Sequence, residues 1–145
     1  MSTESNKAIV RRFYEEVFNQ RNVDLIDELV SPEFNNNDPT PVASRDPESM
    51  KQFIHTITMA FPDHHHQIED LIAEGDRVVM CCTLTATHKG RFPGFLEMPP
   101  TGNSICQRQI HILRVQNHQI VEHWVVRDDM AMMQQLGVLP TGISV

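Results

Sequence analysis

The sequence predicts an α+β domain in which helices cover one face of a curved, antiparallel-rich sheet. Two observations predict it. Apolar residues recur at helical spacing up to Phe61, and from His64 onward the period switches to two. Runs of helices followed by runs of strands give segregated layers rather than alternating βαβ units. The 145 residues are expected to form a single domain, 1–145, large enough to bury a core without staples.

Residues Ser2 to Asn19 read as an amphipathic helix capped at Ser5, with Ile9, Val10, Phe13, Val17 and Phe18 on its apolar side. Val23 to Val30 reads as a shorter helix capped by Asn22 and stopped by Ser31-Pro32. Pro32 to Asp38 is a short extended piece, and the proline-rich PTPVASRDP is a loop. Asp46 caps a third helix, Pro47 to Phe61, with proline at its first position. Strands follow at His64 to Ala73 and Arg77 to Lys89, with a turn at Glu74-Gly75-Asp76 between them. Gly90 to Asn103 is a loop holding Pro93-Gly94. A last helix starts at Asp128 or Asp129 and closes at Gly137.

The most informative stretch is the late hairpin, Gln107 to Asp129. A two-residue turn at Asn117-His118 pairs Val115 with Ile120, His111 with Trp124 and Gln107 with Asp128. Side chains alternate along a strand, so one face then carries Gln107, Gln109, His111, Trp124 and Asp128. The other carries Ile110, Ile112, Val121, His123 and Val125. The first face is too polar for a plain core and suggests a pocket wall.

Composition narrows the function classes. A formal charge of −7 and scattered basic residues argue against a nucleic-acid reader. No segment approaches membrane-spanning length and the N-terminus lacks a signal-peptide core, so a cytoplasmic protein without membrane contact is expected. Cys81, Cys82 and Cys106 lack CxxC spacing and read as reduced thiols. His64-His65-His66 alternates faces without an obvious third ligand. It reads as a solvated strand start, and no metal site is expected. His88 reads as a surface residue, and Tyr14 and Met130, Met132 and Met133 as core or pocket wall.

The segments KAIVRRFYEEVFNQRN, SPEFNNNDP, AFPD, IEDLIAEGDRVV, PPTG, IVEHW and QQLGVLP, in this order, resemble the SnoaL-like polyketide cyclases, or ester cyclase group, of the NTF2-like superfamily. The resemblance implies a cone: a strongly bent sheet wrapped by three N-terminal helices, with a short C-terminal helix and an internal pocket. It implies cofactor-free ring closure of a polyketide by intramolecular aldol condensation, with an aspartate as acid/base. It also implies that Phe18 contacts the substrate. The scaffold serves isomerases, hydrolases and inert binders as well, so the fold alone does not set the activity.

That chemistry needs a base beside the substrate and donors at the developing enolate oxygen. The sequence offers Asp128 as the acid/base with His111 as its partner. Asp128 equally suits a helix N-cap, and Asp129 competes for that role. His111 suits either a relay or a neutral core histidine. His123 joins the His111 face only if a bulge intervenes, and only one of the two is expected to face the pocket. Asn36 and Asp38 share a face, with Asn36 as a polarising donor or part of an Asx turn. Trp124 completes the expected substrate contacts. Relatives often carry aspartate after the tryptophan and histidine before Asp38, where this chain has Val125 and Asn37. The expected ligand is a small apolar ketone or ester, and the apolar outer sheet face predicts a homodimer.

Overall fold

The computed structural model describes residues 2–40, 43–92 and 98–140. Pro93-Gly94 and part of the proline-rich loop lie outside these residues. The chain runs α1 (Thr3–Arg12), a π-helical continuation (Phe13–Asn19) and a 3₁₀ turn (Val23–Leu25) into α2 (Ile26–Leu29). Then follow β1 (Val30–Asn36), α3 (Pro47–Ala60), β2 (His65–Glu74), β3 (Arg77–Thr87), β4 (Ser104–Gln116), β5 (Gln119–Arg127) and α4 (Asp129–Gln135). The five strands form one sheet in the order β1-β5-β4-β3-β2. β1 joins β5 in parallel, and every other pair is antiparallel. This is the α+β architecture that the sequence predicts.

Local chemistry explains most boundaries. The first helix begins at Thr3, one residue from the expected start, but Ser2 rather than Ser5 is the cap. Its Oγ accepts from the Ser5 amide at 3.0 Å, and the Ser5 hydroxyl donates back to the Ser2 carbonyl at 2.9 Å. The π-helical segment ends at Asn19, and Arg21 just beyond it, with a φ of 60°, turns the chain out of the helical path. Asn19 then docks this segment on β2: its Nδ2 donates to the His66 carbonyl at 2.8 Å, and its Oδ1 accepts from the His66 amide at 2.7 Å. α3 starts as predicted, in a capping box between Asp46 and Ser49 with Pro47 at the first position.

The hairpin turn also falls where predicted. Asn117 and His118 adopt φ values of 52° and 62°, the left-handed pair that a two-residue hairpin favours. Val115 pairs with Ile120, but the register then shifts by one residue, so that Arg114 pairs with Glu122, Leu113 with His123 and His111 with Val125. The extra residue at Val121 reverses the phase of everything after it.

Two apolar clusters hold the fold. One joins α1, its π-helical continuation, α2 and α3 to the sheet through Val10, Val17, Ile26, Ile54, Val78, Met80 and Leu113. The other joins the end of α3 to α4 through Ala60, Phe61, Ala86, Ile105 and Leu136. β4 spans both. Its inward residues run Ile105, Gln107, Gln109, His111, Leu113 and Val115, apolar at the ends and polar in the middle. That polar middle forms one wall of a cavity.

Candidate active site

The cavity has a volume of about 150 Å³ and opens between the helices and the inner sheet face. Phe13, Tyr14 and Phe18 from the first helical segment, Phe34, Phe53 and Ile57 supply apolar wall. The bulge at Val121 turns His123 inward, beside His111, and turns Trp124 outward. The expectation that only one histidine faces the pocket is therefore corrected: both do. Trp124 does not line the cavity; it pairs with Ile112, and the Arg77 guanidinium lies 5.2 Å from its ring centroid.

One hydrogen-bonded chain runs along the polar wall. Asn36 Oδ1 meets His123 Nδ1 at 2.8 Å, and His123 Nε2 meets His111 Nδ1 at 2.8 Å. His111 Nε2 meets Gln109 Oε1 at 2.8 Å, Gln109 Nε2 donates to Gln107 Oε1 at 2.8 Å, and Gln107 Nε2 donates to Asp129 Oδ1 at 3.0 Å. The Tyr14 hydroxyl joins at His111 Nδ1, 3.1 Å away. Each polar side chain of this wall lies within hydrogen-bonding distance of another member of the chain, as burial in an otherwise apolar cavity requires.

The expected acid/base residue, Asp128, lies outside this chain. It is exposed, caps α4 and accepts from the Ala131 amide at 3.0 Å, while Asp129 takes the inward position. The cause is again the bulge, which gives the inward position near the strand end to Arg127. Asn36, Asp38, Phe18, His111 and His123 all line the cavity. Asp38 is buried and accepts from Arg127 Nη2 at 2.9 Å and from the Thr40 hydroxyl at 2.7 Å. Burial raises its pKa, but Arg127 and Thr40 outweigh that and hold the carboxyl below its ordinary value.

His64 and His66 overturn the solvated-strand expectation, since both are buried and line the cavity. Burial pushes their pKa values down to about 4 and about 3 respectively, so both are neutral at pH 7. His64 Nε2 meets the Thr58 hydroxyl at 3.0 Å, while His64 Nδ1 and His66 Nδ1 are buried without a hydrogen-bond partner. His88 is also buried rather than on the surface; its Nδ1 accepts from the Thr101 amide at 3.2 Å, and its ring lies against Phe61. For His111, burial leads the downward push, followed by His123, His66 and Arg127. For His123, burial and Arg127 lower the value to about 4, while Asp38 opposes them. Burial holds Tyr14 well above its ordinary value, as a hydroxyl. Among the described residues, no three His, Cys, Asp or Glu side chains gather as a metal set.

The family model for the SnoaL-like polyketide cyclases matches residues 8–136, nearly the whole chain. This chain belongs to that family. A search of the curated proteins returned no match. Among solved structures, this SnoaL-like chain is similar to a putative polyketide cyclase from Acidithiobacillus ferrooxidans, at 33% identity over 94% of this chain and 98% of that one, with a TM-score of 0.80. It is also similar to IdmH, a putative polyketide cyclase from Streptomyces antibioticus, at 28% identity over 92% and 99% of the two chains, with a TM-score of 0.78. A third relative is AclR, a putative hydroxylase from Streptomyces galilaeus, at 29% identity over 96% and 85%, with a TM-score of 0.80. The NTF2-like fold expected from the sequence is therefore the fold of this SnoaL-like protein.

Sequence reasoning left His64, His66, Arg127 and Asp129 out of the site and took Tyr14 only as core or pocket wall. His64 and His66 carried a readable signal, since residues two apart on a strand share a face. Tyr14 lies one residue after Phe13 on the apolar helix side, where its hydroxyl was indistinguishable from core. Arg127 and Asp129 depend on the bulge, which leaves no glycine or proline in QIVEHWVVR to mark it.

Proposed function

We propose that this SnoaL-like protein carries out cofactor-free acid/base chemistry on a small to medium apolar ketone or ester, closing a ring by an intramolecular aldol-type step or a related carbon-acid reaction. The observation that carries the reading is the His123–His111–Tyr14 cluster, set in the wall of an otherwise apolar cavity. Deprotonating carbon beside a carbonyl needs a proton-exchanging group and a donor at the oxygen. The two imidazoles supply the first and the Tyr14 hydroxyl the second. Asn36 orients His123, Asp38 and Arg127 fix the cavity's charge, and Phe18 packs against the ligand. The chemistry calls for no cofactor, and the three unpaired thiols suit a cytoplasmic setting.

A second reading is a small-ligand binder, or an isomerase or hydrolase, on the same scaffold. Val125 favours it, being the position where relatives often carry aspartate. Turnover of a diketone panel by the wild type, His123→Gln and Asp128→Asn separates these readings. Activity that is lost in the first variant and kept in the second supports the enzyme reading. No turnover of any panel member by the wild type favours the binder.

We also propose a homodimer through the outer sheet face. Ile110 and Val126 are neighbours across β4 and β5 and are 51% and 76% exposed, and Ile72 on β2 is 56% exposed. Such an apolar face is unusual on a monomer and suits a two-fold contact. Light scattering is expected to give twice the chain mass, and Ile110→Glu with Val126→Glu is expected to halve it. A wild-type monomer at micromolar concentration would rule the dimer out.

A further inference from the structure

The polar chain along the cavity wall is one hydrogen short. Five hydrogen bonds link Asn36 Oδ1 to Asp129 Oδ1 through His123, His111, Gln109 and Gln107. Each bond needs one hydrogen, and both ends are acceptors. The amide orientations are fixed from outside the chain. Asn36 Nδ2 donates to the Ser44 carbonyl at 2.7 Å, and its Oδ1 also accepts from the Asp38 amide at 3.1 Å. Gln107 Nε2 faces the Asp128 carbonyl at 3.4 Å as well as Asp129 Oδ1, so its oxygen must accept from Gln109. Gln109 Oε1 therefore faces His111, and the Cys82 thiol points at the same oxygen from 3.7 Å. Burial pushes that thiol up to about 12, so it keeps its hydrogen and can donate.

These constraints reach the two imidazoles from opposite sides. His123 Nδ1 must donate to Asn36 Oδ1, and His111 Nε2 must donate to Gln109 Oε1. A neutral imidazole carries one N–H, so both rings have then used theirs. The 2.8 Å contact between His123 Nε2 and His111 Nδ1 would set two lone pairs against each other.

We propose that the His111–His123 pair holds one shared proton in the ligand-free protein, an imidazole–imidazolium acid built into the cavity wall. The charges around it are mixed, and it is the hydrogen count that carries the proton. Asp38 and Asp129 place two carboxylates on the cavity, and Arg127 offsets only one of them. The pair is faced by Tyr14 from the π-helical segment, His66 from β2, Arg127 from β5 and Asp38 beyond β1. Asp129 reaches it through the glutamines. Burial and Arg127 oppose a proton on both rings and His66 opposes one on His111, whereas Asp38 favours one on His123. The first proton onto the pair also forms an N–H···N bond that neither ring forms alone, so it titrates as a property of the pair.

The use of this acid rests on the function proposed above; its presence does not. The shared proton passes to the ligand's carbonyl oxygen and leaves the pair neutral. The neutral pair then takes the proton from the adjacent carbon, the C–H electrons form the enol C=C bond, and the pair ends loaded as it began. The enol is the nucleophile that an aldol closure requires. The ligand class is accordingly an enolisable carbonyl compound.

Nitrogen-15 NMR of histidine-labelled, ligand-free protein tests the proton count, with His111→Gln and His123→Gln assigning the signals. At pH 7 two of the pair's four ring nitrogens are expected to be fully protonated and the other two to share one further proton, which is lost as pH rises through the pair's apparent pKa. Asp129→Asn is expected to lower that apparent pKa by about one unit or more, because an amide there removes a negative charge and can itself supply the missing hydrogen. Asp128→Asn, which keeps the α4 cap but lies outside the chain, is expected to leave it unchanged. Two protonated and two bare nitrogens at pH 7 would overturn the proposal, and so would equal shifts in the two aspartate variants. A loaded pair in a protein that turns over no ketone would leave the proton site standing and remove only its catalytic use.

Discussion

Replacing His123 by glutamine is expected to lower kcat on a responsive diketone by about two to four orders of magnitude, the usual weight of a positioned acid/base group. Glutamine can still donate to Asn36 Oδ1, so the strand pairing and the buried polar contact there survive. It cannot exchange a proton near neutral pH. The change should therefore fall on kcat, with KM altered little, because an interaction used in the transition state rather than in ground-state binding has been removed. His111→Gln should behave alike, and the double variant should cost far less than the product of the single losses, because the two rings act as one unit. Asp128→Asn should retain wild-type kcat, since that carboxylate faces solvent and asparagine also caps helices.

Replacing Arg127 by leucine should cost about 3–5 kcal/mol of stability at pH 7, the penalty for leaving a buried charge unpaired. Asp38 is the charge concerned: its side chain is 4% exposed, and its Oδ2 lies 2.9 Å from the guanidinium. The pH dependence identifies the cause. In the wild type Asp38 is held below its ordinary pKa, so its contribution is fully present above the range where an unfolded aspartate titrates. It is lost as pH falls through the lowered folded value. Without Arg127, burial raises the carboxyl instead, and protonation removes the penalty. The gap between variant and wild type should therefore narrow as pH falls through the carboxylate range. Urea unfolding at a series of pH values measures this, and a gap constant with pH would place the cost in lost packing rather than in the ion pair.

The layer order and most element boundaries were legible because each rests on local chemistry: Asp46 with Pro47 starting α3, Asn117-His118 turning the hairpin, and the change of period after Phe61. Asn36, Asp38, Phe18 and His111 were legible as cavity residues by alternation or by family resemblance. What failed traces largely to one inserted residue. A bulge at Val121 costs a β-rich run little and leaves its composition unchanged, yet it exchanged Trp124 for His123 and gave Arg127 the inward position near the strand end. The burial of His64, His66 and His88 was missed for another reason. Polar residues at strand ends ordinarily face water, and only the helices packed over this sheet enclose them.

A structure of the protein with a bound, slowly reacting diketone tests the central claim most directly. A ligand in the cavity lined by Tyr14, Phe18, His111 and His123, with one carbonyl oxygen within hydrogen-bonding distance of the Tyr14 hydroxyl or of the histidine pair, is the predicted result. A ligand seated elsewhere, with the cavity empty, would contradict it.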